Sequence, residues 1–191
     1  MAKSRFSSEA GFSLLEVLVA TGLLATAVVT LAQLFAVSTR ANLGARNVSH
    51  SSILAEQKIE ELRGLTWGFD SQGLPISDTT TNTTVSPETP TGGTGLSPSP
   101  STSLRENSAG YVDFIDAFGN KVGTGGTTPP NEAVYTRRWS VEPLPTNPNN
   151  TLIIQVLVTP RRVRGAAADS GAVARLPEEA RIVTVKTRKA S

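Results

Sequence analysis

The sequence has no cysteine and a single histidine, His50, and both shortages narrow the functions open to it. Without cysteine there is no disulfide framework, no thiolate zinc site and no thiol nucleophile. One histidine cannot make a two-histidine metal site, and a Ser-His-Asp triad would have to use that one ring. Aromatic residues are 5% of the 191 residues, so large core-forming side chains are scarce. We expect no metal centre and no cofactor.

Apolar residues are concentrated in one block near the N-terminus. Residues 12–37 read FSLLEVLVATGLLATAVVTLAQLFAV and contain one ionisable side chain, Glu16. A bilayer core needs about 20 mostly apolar residues as helix, and a helix is the only single segment that pairs its own backbone amides in lipid. The block therefore predicts a transmembrane helix. Two alternatives stay open: a buried core helix, which normally has a polar stripe, and a secretory signal cleaved after Ala27.

Glu16 is unusual in such a block. A charged side chain inside a membrane helix costs ~2.5–3.5 kcal/mol on insertion scales, so it usually has a partner. Either Glu16 is hydrated near an interface or protonated, or it pairs with a cation at the same depth. No Lys or Arg lies within residues 12–37. A free α-amino group at Phe12 of another subunit is a candidate partner.

The residues around Glu16 resemble a known signal. Residues 11–20 read GFSLLEVLVA and follow a short polar leader. This arrangement resembles the class III signal of type IV prepilins and type II secretion pseudopilins, in which Gly precedes Phe and Glu is the fifth residue after cleavage. The resemblance implies that prepilin peptidase cuts between Gly11 and Phe12, that Phe12 is then N-methylated, and that Glu16 forms an assembly ion pair with the Phe12 ammonium of a neighbouring subunit.

The sequence departs from the pattern of major pilins in three ways. Ala10 stands where many relatives have Lys or Arg, the helix has no central proline, and the paired cysteines are absent. The resemblance therefore implies a minor pilin or pseudopilin, a structural subunit and not an enzyme. Its expected partners are other pilin or pseudopilin subunits, prepilin peptidase, the inner-membrane assembly platform and the lipid bilayer. Its expected location is the bacterial inner membrane, single-pass with the C-terminal domain extracytoplasmic, and then the pilus or pseudopilus.

A second helical pattern follows the apolar block. Residues 38–47 read STRANLGARN, and this polar stretch predicts a bend or brief break. Apolar or small residues then recur at spacings of three and four, at Val48, Ser52, Ala55, Ile59 and Leu62. They predict a helix over residues 48–63 that is half covered by a sheet and stops at Gly64, with Lys58 and the other charges mostly off the stripe.

Residues 71–108 are nearly all Ser, Thr, Pro, Gly and Asn. Such a run buries too little apolar surface to offset its conformational entropy, so we expect a mobile loop or linker there.

The last third of the chain has the pattern of β-strands. Strands are predicted at 111–116, 133–141, 151–160 and 180–187, with a short return strand at 121–122. Their apolar face needs a cover, and the stripe on helix 48–63 is the only candidate. The predicted fold is α+β and pilin-like: a long N-terminal helix, with a transmembrane half and an amphipathic half, packed against a small antiparallel sheet.

These segments give the predicted domain organisation. Residues 1–11 are the prepilin leader, 12–37 the transmembrane and assembly helix, and 38–70 its amphipathic continuation. Residues 71–108 are the low-complexity loop and 109–191 the antiparallel sheet domain.

Other polar residues have simpler interpretations. Asp113, Asp116 and Asn120 carry oxygen ligands, but their spacing is not that of an EF-hand, and turn and edge solvation is favoured over a Ca²⁺ site. His50 is expected on the surface. Residues 134–191 contain ten Lys or Arg and four Asp or Glu. We interpret these charges as a solvated sheet face with edge protection, in preference to nucleic-acid binding.

Two competing functions remain. One is a single-pass, membrane-anchored extracytoplasmic domain that binds glycan or DNA. The other is a hydrolase using His50, which requires a pocket and a buried acid partner.

Overall fold

The computed structural model describes residues 12–161 and 178–188, so Gly11 and the rest of the predicted leader lie outside the described residues. The described chain forms one long helix, α1 (Leu14–Gly64), followed by seven strands. The strands are β1 (Trp67–Phe69), β2 (Pro75–Ser77), β3 (Val112–Ile115), β4 (Lys121–Val122), β5 (Tyr135–Pro143), β6 (Thr151–Pro160) and β7 (Ala180–Thr187). The layout is α+β, with the long helix packed against a small antiparallel sheet, as the sequence predicts.

The sequence predicts a bend or brief break within residues 38–47, and the break is wrong because helix α1 is continuous from Leu14 to Gly64. That stretch contains no proline, and its one glycine, Gly44, costs only about 1 kcal/mol relative to alanine. Extending an existing helix gains a hydrogen bond for each residue added, and this outweighs one weak position. The helix ends at Gly64, the predicted stop. The chain divides into two compact units, Met1–Leu43 and Gly44–Ser191.

The main sheet has five strands in the order β4-β3-β5-β6-β7, and every neighbouring pair is antiparallel. Strands β6 and β7 have the predicted bounds, and the β3–β4 hairpin is confirmed. Strand β5 begins and ends two residues later than predicted. Strands β1 and β2, which the sequence did not predict, form a separate two-stranded hairpin directly after the helix.

The helix covers one face of this sheet, as predicted. Leu54, Ala55, Ile59 and Leu62 are buried against residues of β5 and β6, among them Trp139 and Ile154. The predicted buried stripe is confirmed at Ala55, Ile59 and Leu62, whereas its first two positions do not lie on the buried face. Val48 and Ser52 are only half-buried, whereas the helix buries Ser51, Leu54 and Lys58. Lys58, predicted to lie off the stripe, is therefore in the core.

The Ser/Thr/Pro/Gly segment is packed against the rest of the second unit, which corrects the expectation of a mobile loop or linker. Leu96 belongs to the main core, and Thr83, Thr84 and Ser103 are buried. The hydroxyl of Tyr111 donates to the carbonyls of Ser97 and Pro98, both at 3.0 Å. Few apolar residues suffice because backbone carbonyls of the segment accept hydrogen bonds from core side chains.

Two of the arginines assigned to a solvated sheet face are buried instead. Arg137 and Arg138 are each 2% exposed. Arg138 lies on the sheet face away from the helix, where its guanidinium donates to the side-chain oxygen of Asn107. The Ser/Thr/Pro/Gly segment, residues 71–108 and here called the packed loop, therefore covers β5 on that side. This is why Arg138 is buried although the sequence predicts it on the surface.

Candidate functional site

The first candidate site is the start of α1. Ser13 caps the helix: its side-chain oxygen accepts a hydrogen bond from Leu15 N at 3.3 Å, and its carbonyl accepts one from Val17 N at 3.2 Å. Phe12 precedes the cap and is 83% exposed. Glu16 lies in the first turn, where unpaired backbone N–H groups favour a negative charge. Phe12 and Glu16 border the same groove, together with Val17 and Ala20.

Residues 12–37, here called the apolar segment, are exposed on every side of the helix. Leu15 is 72% exposed, Leu24 64% and Phe35 71%. Helix α1 contains one window long and apolar enough to cross a membrane, and none of that window is buried within the chain. A core helix buries at least one face, so the structure disfavours the core-helix alternative.

The hydroxyl groups of the threonines in the apolar segment form hydrogen bonds within the helix itself. Each donates to the carbonyl four residues earlier at 2.8 Å, in the pairs Thr21 to Val17, Thr26 to Gly22 and Thr30 to Thr26. Internal pairing of this kind lets a polar side chain sit in an apolar medium at low cost. The segment therefore presents an almost entirely apolar surface apart from Glu16 and Gln33.

Glu16 has no hydrogen bond and no ion pair within residues 12–161 and 178–188. Ser13 and Glu16 have the spacing of a capping box, in which the glutamate would accept a hydrogen bond from Ser13 N. In the structure the Ser13 side chain accepts from Leu15 N instead, and Glu16 does not accept from Ser13 N. The carboxylate is thus not used locally and is exposed, so it is free to bind a group outside the chain.

The second candidate site is a buried cluster of charges between α1 and the sheet. Asp113 on β3 accepts two hydrogen bonds from Arg137 on β5, at 2.9 and 2.8 Å. Lys58 Nζ of α1 lies 3.2 Å from Asp113 Oδ2 and 3.8 Å from the centre of the Trp139 ring. The second Nη of Arg137 donates to the carbonyl of Leu54 at 2.9 Å, which ties the helix backbone to the sheet.

The pKa values in this cluster follow from burial and mutual attraction. Burial lowers the pKa of Lys58 to about 8, although the charges of Asp113 and Glu61 oppose the shift. Burial alone would raise the pKa of Asp113, but Lys58 and Arg137 outweigh it and the pKa of this carboxyl is lowered. Both Asp113 oxygens are bonded, so the cluster is a structural clamp and offers no free base.

The cluster also holds the packed loop. Lys58 Nζ donates to the carbonyl of Thr83 at 2.6 Å, and Lys121 Nζ donates to the same carbonyl at 3.0 Å. Lys121 in turn lies 2.5 Å from Glu61. One turn of helix, one hairpin and the loop therefore meet at a single set of charges.

The residues considered as Ca²⁺ ligands have different roles in the structure. Asp113 is buried in the clamp, so edge solvation is wrong for it. Asp116 closes a turn, as predicted, and accepts hydrogen bonds from Phe118 N and Asn120 N, both at 2.8 Å. Within the described ranges, no group of three His, Cys, Asp or Glu residues is placed to hold a metal ion.

His50 is half-buried on α1, with its ring centre 5.1 Å from that of Tyr135. In the part of the chain that the structure describes, it makes no hydrogen bond to a carboxylate. The buried acid partner that a hydrolase would require at His50 is therefore missing from these residues.

The sequence pattern does not predict the buried cluster of Lys58, Asp113 and Arg137, because it places Lys58 on the polar side of the helix. The available signal was spacing: Lys58 lies four residues after Leu54 and four before Leu62, two positions that the structure buries. Compared with protein families, with curated proteins and with solved structures, this chain matches none.

Proposed function

We propose that this chain is a minor pilin or pseudopilin, a structural subunit of a type IV pilus or a type II secretion pseudopilus with no enzymatic activity of its own. One observation carries the proposal. The apolar segment is exposed around its whole circumference, and its single ionisable residue, Glu16, has no partner in the described residues.

An apolar surface of this extent is stable only in contact with lipid or with other apolar helices. In the proposal, the chain first crosses the bacterial inner membrane once, with the sheet unit extracytoplasmic. Prepilin peptidase cuts between Gly11 and Phe12, and the new amine of Phe12 is methylated. The assembly platform then transfers the subunit into the filament, where the segment packs against the helices of other pilin or pseudopilin subunits.

Glu16 sets the register of this packing. A carboxylate surrounded by apolar side chains is costly unless it is paired, and removing one partner of such a pair is strongly destabilising. The Phe12 ammonium of a neighbouring subunit is a cation that processing would create at the same end of the helix. Apolar contacts supply most of the association, and the ion pair selects one axial offset.

The mature N-terminus tests the proposal directly. We expect mass spectrometry of the protein isolated from its membrane or filament to identify N-methylated Phe12 as the first residue. An intact leader, or an N-terminus after Ala27, would contradict the proposal. Either result would favour a membrane-anchored or secreted domain that binds glycan or DNA.

The role of Glu16 has a separate test. Glu16→Ala is expected to leave cleavage intact and to reduce incorporation into filaments by at least about tenfold, because the ammonium loses its partner. Incorporation is measured as the ratio of subunit in sheared filaments to subunit in membranes. Gln33→Ala, which changes an uncharged polar side chain of the segment, is the matched control and should leave the ratio unchanged. Normal incorporation of Glu16→Ala would exclude the ion pair.

A further inference from the structure

Strand β7 is an edge strand whose charged residues, Arg181 and Lys186, lie toward its ends and leave its centre uncharged. It is eight residues long and pairs with β6 on one side. Among the described residues, no further backbone–backbone hydrogen bond reaches Ala180–Thr187. Sheet edges are normally protected by short strands, prolines, bulges or central charges. The opposite edge follows this rule, since β4 has two residues, but residues 182–185 of β7 read Ile-Val-Thr-Val.

The register shows which backbone groups of β7 are free. Arg188 N donates to the carbonyl of Asn150, which makes 150 and 188 a hydrogen-bonded pair. Such pairs alternate with non-hydrogen-bonded pairs along an antiparallel ladder. Thr187 opposite Thr151 is therefore a non-bonded pair, and the N–H and C=O groups of residues 181, 183, 185 and 187 point away from β6.

The side chains beside this edge are apolar and basic. Val183 and Val185 are 56% and 57% exposed on the sheet face away from the helix. A groove of about 780 Å³ runs along the C-terminal part of β7, between the helix end, the β1–β2 hairpin and the strand. Its lining includes Trp67, Phe69 and Lys186 and no acidic residue.

Two half-buried cations lie at this end of β7: Lys186, which lines the groove, and Arg188, which follows the strand. Lys186 donates to the last-turn carbonyl of Arg63, and Arg188 stacks 3.7 Å from the centre of the Trp67 ring. Neither cation forms an ion pair within the described residues. Burial and the nearby charge of Arg63 lower the pKa of Lys186, as expected where no carboxylate is close. Arg181, at the other end of β7, is exposed and donates one hydrogen bond to the neutral side-chain oxygen of Gln155.

We propose that the free edge of β7 and the adjoining groove bind an extended, acidic peptide segment of a partner protein, which adds a sixth strand to the sheet. The alternating N–H and C=O groups of residues 181–187 match the main chain of an extended peptide. Val183 and Val185 contact alternate side chains of that peptide, while Arg181 and Lys186 attract carboxylates at its two ends. A nucleic acid has the negative charge but not the matching main chain. This site does not depend on filament assembly.

The test uses the full chain in detergent micelles and fluorescence anisotropy with a labelled synthetic probe, acetyl-Asp-Thr-Val-Thr-Val-Thr-Glu-amide. We expect this acidic probe to bind at least about tenfold more tightly than the same peptide with lysine at both ends, since two charge contacts change sign. Equal binding of the two peptides, or tighter binding of a ten-residue oligothymidylate, would overturn the proposal.

Val183→Pro is the decisive variant. It removes an outward-facing N–H and leaves the hydrogen bonds to β6 in place, a position at which edge strands tolerate proline. We expect binding of the acidic probe to fall by at least about tenfold, whereas Val183→Thr, which keeps the N–H, should bind within about twofold of the unchanged chain. Unchanged binding by Val183→Pro would refute strand addition.

Hydrogen exchange of the unsubstituted chain tests the free edge in a way that does not depend on whether the proline variant folds. Because their N–H groups face solvent, Val183 and Val185 should exchange much faster than Ile182 and Thr184 in the free chain. The acidic probe should slow the first pair. Slow exchange of Val183 and Val185 before the probe is added would mean that the edge is already covered, and the proposal would fail.

Discussion

Replacing Asp113 by asparagine removes the one negative charge shared by two buried cations. Lys58 and Arg137 are 0% and 2% exposed and reach Asp113 Oδ2 at 3.2 and 2.8 Å. The new amide keeps one acceptor for Arg137 but turns an N–H₂ group toward the other donors. Lys58 keeps a weaker partner in Glu61, at 3.3 Å. The substitution therefore leaves Arg137 without a carboxylate partner among the described residues and Lys58 with Glu61 alone.

The expected loss is about 3 kcal/mol of unfolding free energy. Removing one partner of a buried ion pair typically costs ~3–5 kcal/mol, and the remaining contact with Glu61 places this case at the lower end. For a chain of this size, that loss lowers the melting temperature by roughly 6–12 °C. Asp116→Asn is the matched control, since the same change at an exposed turn should stay within about 0.5 kcal/mol.

Urea denaturation of the full chain in micelles measures the effect. The fluorescence of Trp139, which is fully buried beside Lys58, reports on this part of the core. The double variant Asp113→Asn with Lys58→Met should be less destabilised than the sum of the two single changes, because it also removes the stranded cation. A loss below about 1 kcal/mol for Asp113→Asn, or strict additivity, would refute the clamp as the element that fixes helix to sheet.

Two further predictions concern the same unit. The pKa of Lys58 is about 8 in the folded chain and 10.5 in the unfolded one, so the unfolded chain binds one more proton between these values. The unfolding free energy should therefore rise with pH from 8 to 9.5 relative to Lys58→Met, in parallel urea titrations, and a fall would show that the ion pairs outweigh burial. Gly93→Ala should cost about 1–3 kcal/mol, because its Cβ would lie 2.2 Å from Asn82 Cα. Gly126→Ala, which has open space around it, is the control, and equal stability of the two variants would mean that the loop is not packed as described.

The strongest strands and the long helix could be predicted because their signals are local. Strand β6 is a run of β-branched and apolar residues bounded by turn residues, and β7 alternates along its length, so both were placed without error. Beyond Val37 the polar composition predicts a bend or brief break, but the stretch contains no proline and the helix continues. Strands β1 and β2 have three residues each, too few to show a period.

The buried clamp and the packed loop could not be predicted, since both depend on contacts between distant parts of the sequence. Lys58 lies 55 positions before Asp113, and the residues next to each of them in the sequence give no pattern that predicts the ion pair. The loop has the composition of a disordered segment, yet Thr83 offers a carbonyl to two lysines that other elements supply. Local composition describes what a segment can bury, but not which hydrogen bonds a neighbour will provide.

Sequence and structure constrain Glu16 in different ways. The sequence places one acid in an otherwise uncharged apolar segment, and a hydrated position near an interface is the alternative explanation to an ion pair. The structure adds that Glu16 does not accept the capping-box hydrogen bond from Ser13 N and that the described residues supply no cation to this carboxylate. Hydration at an interface predicts that Glu16→Gln behaves like the unchanged protein, because a hydrated amide costs little. A register-setting ion pair predicts that Glu16→Gln fails in assembly as Glu16→Ala does, so the glutamine variant separates the two explanations.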